Sequence, residues 1–167
     1  MNFVAIDFET ANTSPDSACA IGLVKVENFQ VVEQVEYLIR PPTNWFEFTY
    51  IHQIDWSMVA NQPTFGELHP QIDQFLAGAD FLAAHNASFD RKVLAACRET
   101  YQIDRPTHPF LCTVKFARQQ WQIRPTKLSD VCRDLNIDLQ HHNALSDAHA
   151  CAQIIITAGS EATFKLD

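Results

Sequence analysis

The N-terminal stretch MNFVAIDFETAN constrains the fold more than any other part of this chain. Residues 3–6 form a short apolar run with β-branched members, which predicts a strand buried on both faces. Residues two apart in a strand project to the same side, so Asp7 and Glu9 point together from one face. Two neighbouring carboxylates repel each other, and burying either one unpaired is costly. The sequence therefore predicts that this strand ends in solvent or that positive charge lies between the two acids.

The composition predicts one globular domain, residues 1–167, with a short tail after about residue 159. Of the 167 residues, 47% are hydrophobic, which is enough for a substantial core. Neither the apolar window of a membrane span nor the features of a secretion signal are present, which predicts a cytoplasmic protein without membrane contact. The five cysteines are widely spaced without a CxxC pair, which predicts reduced core residues and neither a disulfide framework nor a zinc site.

Charge is distributed unevenly along the chain, although its formal net value is −8. The segment from Arg91 to Arg133 holds nine of the twelve basic residues against three acids, a net of +6, which leaves −14 for the remainder. A basic surface of this kind would suit a polyanion such as nucleic acid. Clustering of charges on solvated helices explains the same pattern, so charge alone leaves both interpretations open.

The hydrophobic periodicity predicts an α/β fold with a mixed central sheet flanked by helices. Strands are expected at 3–6, 18–26, 31–40, 81–84 and 109–112, the second and third forming a hairpin that pairs with the first. Helices are expected after Pro63, from about residue 90 to 97, and at 114–120, 127–135 and 144–158, with a short helical turn near 51–54.

A third carboxylate, Asp90, follows the predicted buried strand at 81–84 and stands at the start of a helix. The carboxyl ends of strands are where open α/β sheets bind ligands, and the Asp7–Glu9 pair lies at such an end too. A purely structural alternative exists, because carboxylates also stabilise the N-terminal end of a helix.

The segment His141-His142-Asn143-Ala144-Leu145-Ser146-Asp147 supplies a fourth carboxylate and a histidine. Asn143 is a plausible N-cap, which puts Asp147 inside the first turns of the helix and His142 just before it. Such a placement suits a fixed metal ligand beside a mobile base. An isolated surface pair of this kind would have no functional meaning.

Taken together, three aspartates, one glutamate and one histidine form an oxygen-rich set that suits Mg²⁺ or Mn²⁺ better than zinc. Two such ions, about 3.5–4 Å apart, would hold a scissile phosphate between them. His142 would accept the proton of the attacking water near neutral pH. Bound cations would also explain how Asp7 and Glu9 tolerate each other.

These residues, in this order, resemble the DnaQ-like 3′–5′ exonucleases of the DEDDh group, which have the ribonuclease H-like fold. DFET, HNASFD and HNALSDA are similar to the three motifs of that family, including the four residues between His142 and Asp147. The resemblance covers about residues 2–158. The segments AHNASFDRKVL and CTVKFARQQW look most like the exonuclease X-like and DNA polymerase III epsilon-type branch.

The resemblance implies a role for each matching residue. Metal ligation falls to Asp7, Glu9, Asp90 and Asp147, with His142 as the general base. Substrate contacts fall to Thr10 and Ala11 along the 3′-terminal nucleotide, to His52 and Ile54 on its sugar or base, and to Asn86. Phe89 is expected to pack in the core beneath the site. Two departures stand out: Gln53 replaces the family's usual glycine, and a second histidine, His141, precedes His142.

The expected function is therefore a metal-dependent 3′–5′ exonuclease that hydrolyses DNA, at single-stranded or frayed 3′ ends, to nucleoside 5′-monophosphates in DNA repair. Its partner would be nucleic acid with a free 3′ end. An exoribonuclease acting on short RNA or tRNA ends is an alternative, because the four acids contact phosphate and only the 2′-OH distinguishes RNA from DNA. A proofreading or binding subunit of a polymerase or repair complex is a further alternative. The sequence does not indicate the oligomeric state.

Overall fold

The computed structural model describes residues 1–104 and 106–167. The strands are β1 (Asn2–Thr10), β2 (Ala18–Glu27), β3 (Gln30–Leu38), β4 (Phe81–Ala84) and β5 (Phe110–Cys112). The helices are α1 (Thr49–His52), α2 (Trp56–Val59), α3 (Phe65–Leu76), α4 (Ser88–Thr100), α5 (Thr113–Trp121), α6 (Leu128–Leu135) and α7 (Ala144–Ala158). All five expected strands are present, and β1 is longer than expected because it continues through the two acids. The sequence did not predict α2, whose N-terminus is capped by the Asp55 side chain.

The five strands form one mixed sheet in the order β3-β2-β1-β4-β5. β1 lies in the centre, antiparallel to β2 and parallel to β4, and β5 is parallel to β4. This arrangement confirms the predicted α/β class with a mixed sheet. Since β1 and β4 run in the same direction, their carboxyl ends lie at the same edge of the sheet.

The side chains of β1 alternate between two layers of core. Val4, Ile6 and Phe8 pack with residues of α3 and α4 on one face of the sheet. Phe3 and Ala5 pack with residues of α5, α6 and α7 on the other. By the same alternation, Asp7 and Glu9 belong to the α7 face. The pair predicted to point together from one side therefore points towards the helix that carries Asp147.

The basic segment between Arg91 and Arg133 is partly neutralised within the fold. Arg98 forms an ion pair with Asp73 and is buried, Lys115 pairs with Asp167, and Arg133 pairs with Asp130 and Asp134. These three cations are therefore paired within the fold and do not form part of a free basic surface. Arg105, another of the nine, lies outside the described residues.

Two further expectations concern the cysteines and membranes. All five cysteines are free and buried, as predicted for reduced core residues. Within the described ranges, every helix is too short or too polar to cross a membrane.

Candidate active site

Four carboxylates from three distant parts of the sequence meet at the carboxyl edge of β1 and β4. Asp7 and Glu9 come from the end of β1, Asp90 from the first turn of α4, and Asp147 from the first turn of α7. Side-chain oxygens of Asp7, Glu9 and Asp147 all lie within 4.8 Å of one another. The structure thus brings together the acids that the sequence selected.

Asp90 joins the cluster through the backbone of β1. Its Oδ1 accepts a hydrogen bond from the N–H of Phe8, at 3.1 Å. The parallel pairing of β1 with β4 ends at Ala5 and Ala83, so Phe8 has no ladder partner on that side. The N-cap position of α4 is occupied by Ala87 and not by Asp90. Simple helix capping, the structural alternative, therefore does not account for this residue.

The cluster is electrostatically strained. Burial raises the pKa of Glu9 to about 7 and that of Asp90 to about 8. Burial also raises the pKa of Asp7 well above its ordinary value, and the charges of Asp90, Asp147 and Glu9 add to that effect. The pKa of Asp147 is raised by burial too, although His141 acts in the opposite direction. Bare carboxylates here would take up protons close to neutral pH.

The donor set fits hard divalent cations. All four groups offer carboxylate oxygens, the ligands that Mg²⁺ and Mn²⁺ prefer. Oδ2 of Asp90 is buried and has no hydrogen-bond partner among the described residues, which is costly unless a positive group faces it. Cations would both satisfy that oxygen and offset the burial and the mutual repulsion that raise the pKa values of Asp7, Glu9 and Asp90.

The metal-free protein is expected to lose stability as the pH rises from about 6.5 to 8.5. The pKa values of Asp7, Glu9 and Asp90 are raised in the folded state, so folding there takes up protons that the unfolded chain has already lost. His52 and His85, whose pKa values burial lowers, act in the opposite sense only below about pH 6.5. Thermal unfolding in EDTA across this range measures the effect.

Two variants test whether the buried acids cause this loss of stability. Asp7→Asn should flatten the decline, because it removes one of the buried charges. Asp138→Asn changes an exposed aspartate in the loop before α7 and should leave the decline intact. A wild-type unfolding temperature that is constant or rises between pH 6.5 and 8.5 would contradict the arrangement of charges described above.

Gly22 allows α7 to approach the sheet closely enough to place Asp147. This glycine pairs with Asp7 across the β1–β2 ladder. A Cβ built on it would lie 2.2 Å from the carbonyl oxygen of Ala144, the first residue of α7. Only a residue without a side chain fits this contact, since the neighbouring atoms are backbone. The sequence analysis missed this role because it depends on where α7 crosses the sheet.

Gly22→Ala is therefore expected to destabilise the protein by about 1–3 kcal/mol and to weaken divalent-metal binding, because α7 must shift away from β2. Chemical unfolding and Mn²⁺ titration measure the two effects. Gly78→Ala is the matched control: its backbone φ of +79° makes the substitution strained, but nothing lies within 4 Å of the new methyl group. It should lower stability without changing metal affinity. Wild-type metal affinity in Gly22→Ala would remove the proposed role of the close contact.

The two adjacent histidines both contact Asp147. The His142 backbone N–H donates to Oδ2 of Asp147 at 3.3 Å, and Nδ1 of His141 lies 3.1 Å from the same oxygen. The two imidazole rings stack with centroids 3.8 Å apart. His142 has a φ of +65°, which turns the chain at the entrance to α7. His141 therefore holds both the acid and the neighbouring ring, a role that its sequence position alone did not indicate.

His52 is engaged within the fold, and its predicted contact with a nucleotide stays a prediction. It is 6% exposed, and its Nδ1 accepts a hydrogen bond from the N–H of Ile54. The proton must then be on Nε2, which donates to the carbonyl oxygen of Thr10 at 3.0 Å. His52 thereby fastens the segment around α1 to the end of β1. Ile54 is also buried, at 8% exposure.

Ala11 also connects the end of β1 to the segment before α1, and its side chain is buried. It is fully buried, and its carbonyl oxygen accepts hydrogen bonds from the N–H groups of Glu47 and Phe48. The side chain of Ala11 is buried, so its predicted position along a nucleotide stays a prediction that could involve only its backbone. Thr10, at 5% exposure, lines a cavity of about 240 Å³.

Phe89 lines that cavity as well, together with Phe48 and Lys92. It is 42% exposed, so the expectation that it packs in the core beneath the site is wrong. The buried face of α4 is formed by Asp90, Val93 and their neighbours along the helix, and Phe89 lies beside that face. Asn86 is exposed in the preceding turn with a φ of +67°, where its side chain is accessible.

Comparison with protein families and sequences gives one consistent result. A family model described as Exonuclease matches residues 4–155. The DNA polymerase III PolC-type protein of Clostridium perfringens is 33% identical over 162 residues, which cover 92% of this chain and 11% of that protein. Exodeoxyribonuclease 10 of Escherichia coli K12 is 32% identical over 162 residues, covering 90% of this chain and 66% of that protein. The chain thus spans about a tenth of the polymerase relatives and less than two thirds of the Escherichia coli one.

Solved structures are similar over almost the whole chain. Exonuclease X in complex with 5′ overhanging duplex DNA superposes with a TM-score of 0.77 at 26% identity, covering 93% of this chain and 90% of that one. The nuclease domain of 3′hExo, a DEDDh family member bound to rAMP, has a TM-score of 0.83 at 17% identity, covering 98% and 96%. These likenesses confirm the ribonuclease H-like fold expected from the sequence.

Proposed function

The chain belongs to the exonuclease family whose model matches residues 4–155, and from that membership we propose that it removes nucleotides one at a time from the 3′ end of DNA. The products would be nucleoside 5′-monophosphates. The observation that carries this proposal is the convergence of Asp7, Glu9 and Asp147 within 4.8 Å, with Asp90 in electrostatic contact. We propose that these four acids are the metal ligands of a divalent-metal-dependent site.

The metal ions and the side chains of the site would perform different parts of the hydrolysis. Two Mg²⁺ or Mn²⁺ ions, when bound by the four acids, would supply the positive charge that activates a water and stabilises the departing 3′ oxygen. His142 accepts the proton that the attacking water loses. Asp90, fixed by the Phe8 N–H, and Asp147, fixed by the His142 N–H, present their oxygens in place before substrate arrives.

The protonation state of His142 supports its role as the base. Its pKa is lowered from the ordinary value by burial and by the proximity of His141, so the ring is neutral at pH 7. A neutral imidazole is ready to accept a proton, whereas a charged one is not. His141 acts on the reaction through its contacts with Asp147 and the His142 ring, which makes it a positioning residue.

DNA is the substrate that we propose, on the strength of two relatives. The Escherichia coli relative at 32% identity is named an exodeoxyribonuclease, and the solved neighbour at 26% identity is described in complex with duplex DNA. We place Thr10 and Asn86 beside the 3′-terminal nucleotide, with His52 and Ile54 supporting that site from below. RNA is the alternative substrate, because the structure of another neighbour holds rAMP.

A role in a polymerase assembly is the second candidate. The PolC-type relatives match this chain over about a tenth of their length, so an exonuclease of this kind occurs within a polymerase chain there. We propose that this chain would, in that case, trim mismatched 3′ ends for a separate polymerase.

The test is a degradation assay with 5′-labelled single-stranded DNA, matched RNA and circular DNA, each with Mg²⁺, with Mn²⁺ and with EDTA. We expect stepwise shortening of the labelled DNA with either metal, no reaction in EDTA and no cleavage of the circle. The ratio of DNA to RNA rates decides the substrate. Degradation that survives chelation, or that opens the circular DNA, would refute the proposed function.

A further inference from the structure

One face of α4 lines a cationic groove. Ser88, Arg91, Lys92 and Ala95, spaced three or four residues apart, line a cavity of about 420 Å³. His108 and Phe110 form part of the opposite wall. We call this feature the cationic groove and define it by its two cations, Arg91 and Lys92. The opposite face of the same helix carries Asp90 into the acid cluster.

Lys92 connects the groove to the proposed catalytic centre. The same side chain lines the smaller cavity of about 240 Å³ that contains Thr10, Phe48 and Phe89. Thr10 directly follows Glu9, and Phe89 directly precedes Asp90. The two cavities therefore meet at Lys92 and form a path that runs past the chain neighbours of Glu9 and Asp90 into the groove.

The groups along this path are suited to an anionic ligand with flat rings. Lys92 is exposed and, within the residues that the structure describes, has no acidic partner. Nδ1 of His108 is buried without a hydrogen-bond partner in the same part of the chain. The Arg91 guanidinium lies over the Phe110 ring at 5.0 Å and donates to the carbonyl oxygen of Asp167, which leaves further N–H groups for a ligand. Phe110 is buried beneath Arg91, whereas exposed Phe89 offers a ring face to a base.

We propose that the cationic groove binds the nucleotides on the 5′ side of the scissile one, as a single strand. Lys92 and Arg91 contact phosphates, and the exposed ring of Phe89 contacts a base. This inference rests on the proposed function, because it places the 3′ end at the acid cluster. The cavity volume lies within the range of about 300–1,000 Å³ that is typical of sites for small molecules, which suits one or two nucleotides and not a duplex.

The groove also explains how a protein of net charge −8 holds a polyanion. Contacts with phosphate release counterions, and each contact contributes about −0.7 to the slope of log affinity against log salt for a single strand. Two cations predict a slope of about −1.4, much shallower than that of a protein with a broad basic surface. Each cation removed should reduce the slope by about half.

The experiment compares a dinucleotide with a longer single-stranded oligonucleotide, using wild type, Arg91→Ala, Lys92→Ala and Lys92→Arg. The measured quantity is kcat/KM for the long substrate divided by kcat/KM for the dinucleotide, at several salt concentrations. We expect each alanine variant to reduce this ratio about tenfold and to reduce the salt slope, because a charged hydrogen bond is lost. Lys92→Arg should restore most of the ratio, since the charge is retained.

Lys25→Ala provides the matched control. Lys25 is a partly exposed cation on β2 that lies over the Phe75 ring, and it lines cavities away from the acid cluster. It should keep the wild-type ratio and slope. If wild type hydrolyses both substrates and the alanine variants keep its ratio and slope, the groove does not bind the strand, while the proposed function stands. If wild type hydrolyses neither substrate, the proposed function itself fails.

Discussion

Asp7→Asn is expected to reduce hydrolysis by about 10³-fold or more, measured as kcat on a single-stranded oligonucleotide with saturating Mg²⁺. Charge stabilisation by a bound metal ion contributes several kcal/mol to such a reaction, and each 1.36 kcal/mol corresponds to about a tenfold change in rate. Asn keeps the shape of the side chain but removes its charge, so the loss reflects metal binding and not altered packing. The same variant, without metal, should unfold at a higher temperature than wild type, because burial and three neighbouring acids oppose the Asp7 charge.

A variant that loses activity while it gains stability identifies a metal ligand and not a residue that only supports the fold. A residue whose only role is to support the fold would lose both together. Asp138→Asn, at an exposed position, should change neither. Near-normal turnover of Asp7→Asn would show that Asp7 is not a metal ligand.

His142→Asn is expected to lower kcat by about 10²-fold or more, which is the usual scale for removal of a general base. The dependence of kcat/KM on pH tests whether His142 is the general base. In wild type, kcat/KM should fall at low pH as the ring becomes protonated, with a midpoint below the ordinary histidine value because burial and His141 lower the pKa of His142. In His142→Asn that fall should disappear. Any pH dependence of kcat/KM that remains would come from the proposed metal ligands.

His141→Asn is the matched comparison, because its ring stacks on His142 and contacts the same carboxylate. Loss of a group that orients a ligand costs about 10–100-fold in metal affinity or activity. We expect a weaker affinity for Mn²⁺ and a retained low-pH limb. The reverse pattern, with the limb lost in His141→Asn and retained in His142→Asn, would assign the base to His141.

The acids of the site were predictable because they depend on local rules. Asp7 and Glu9 point to the same side because side chains alternate along a strand, and Asn143 caps α7 with its side chain, as the sequence indicated. Asp90 was recognisable from its position after a buried strand. The hydrogen bond that fixes it was not, because it depends on where the β1–β4 pairing ends.

The features that escaped prediction depend on contacts between distant elements. Gly22 matters only because α7 crosses β2 at that residue. His52 has both ring nitrogens engaged within the fold, which no spacing in the sequence reveals. Phe89 was expected in the core beneath the site, but the rotation of α4 leaves it 42% exposed next to Asp90. In each case the missing information was the relative placement of two elements.

Titration of the protein with Mn²⁺, followed by the fall in free Mn²⁺ signal in electron paramagnetic resonance, tests the proposed metal site most directly. With a nucleoside 5′-monophosphate present, we expect two bound ions per chain in wild type and weakened or incomplete binding in Asp7→Asn, Asp90→Asn and Asp147→Asn. Asp138→Asn should bind two ions as wild type does. Wild-type stoichiometry and affinity in all three acid variants would contradict the conclusion that these carboxylates form one metal-binding centre.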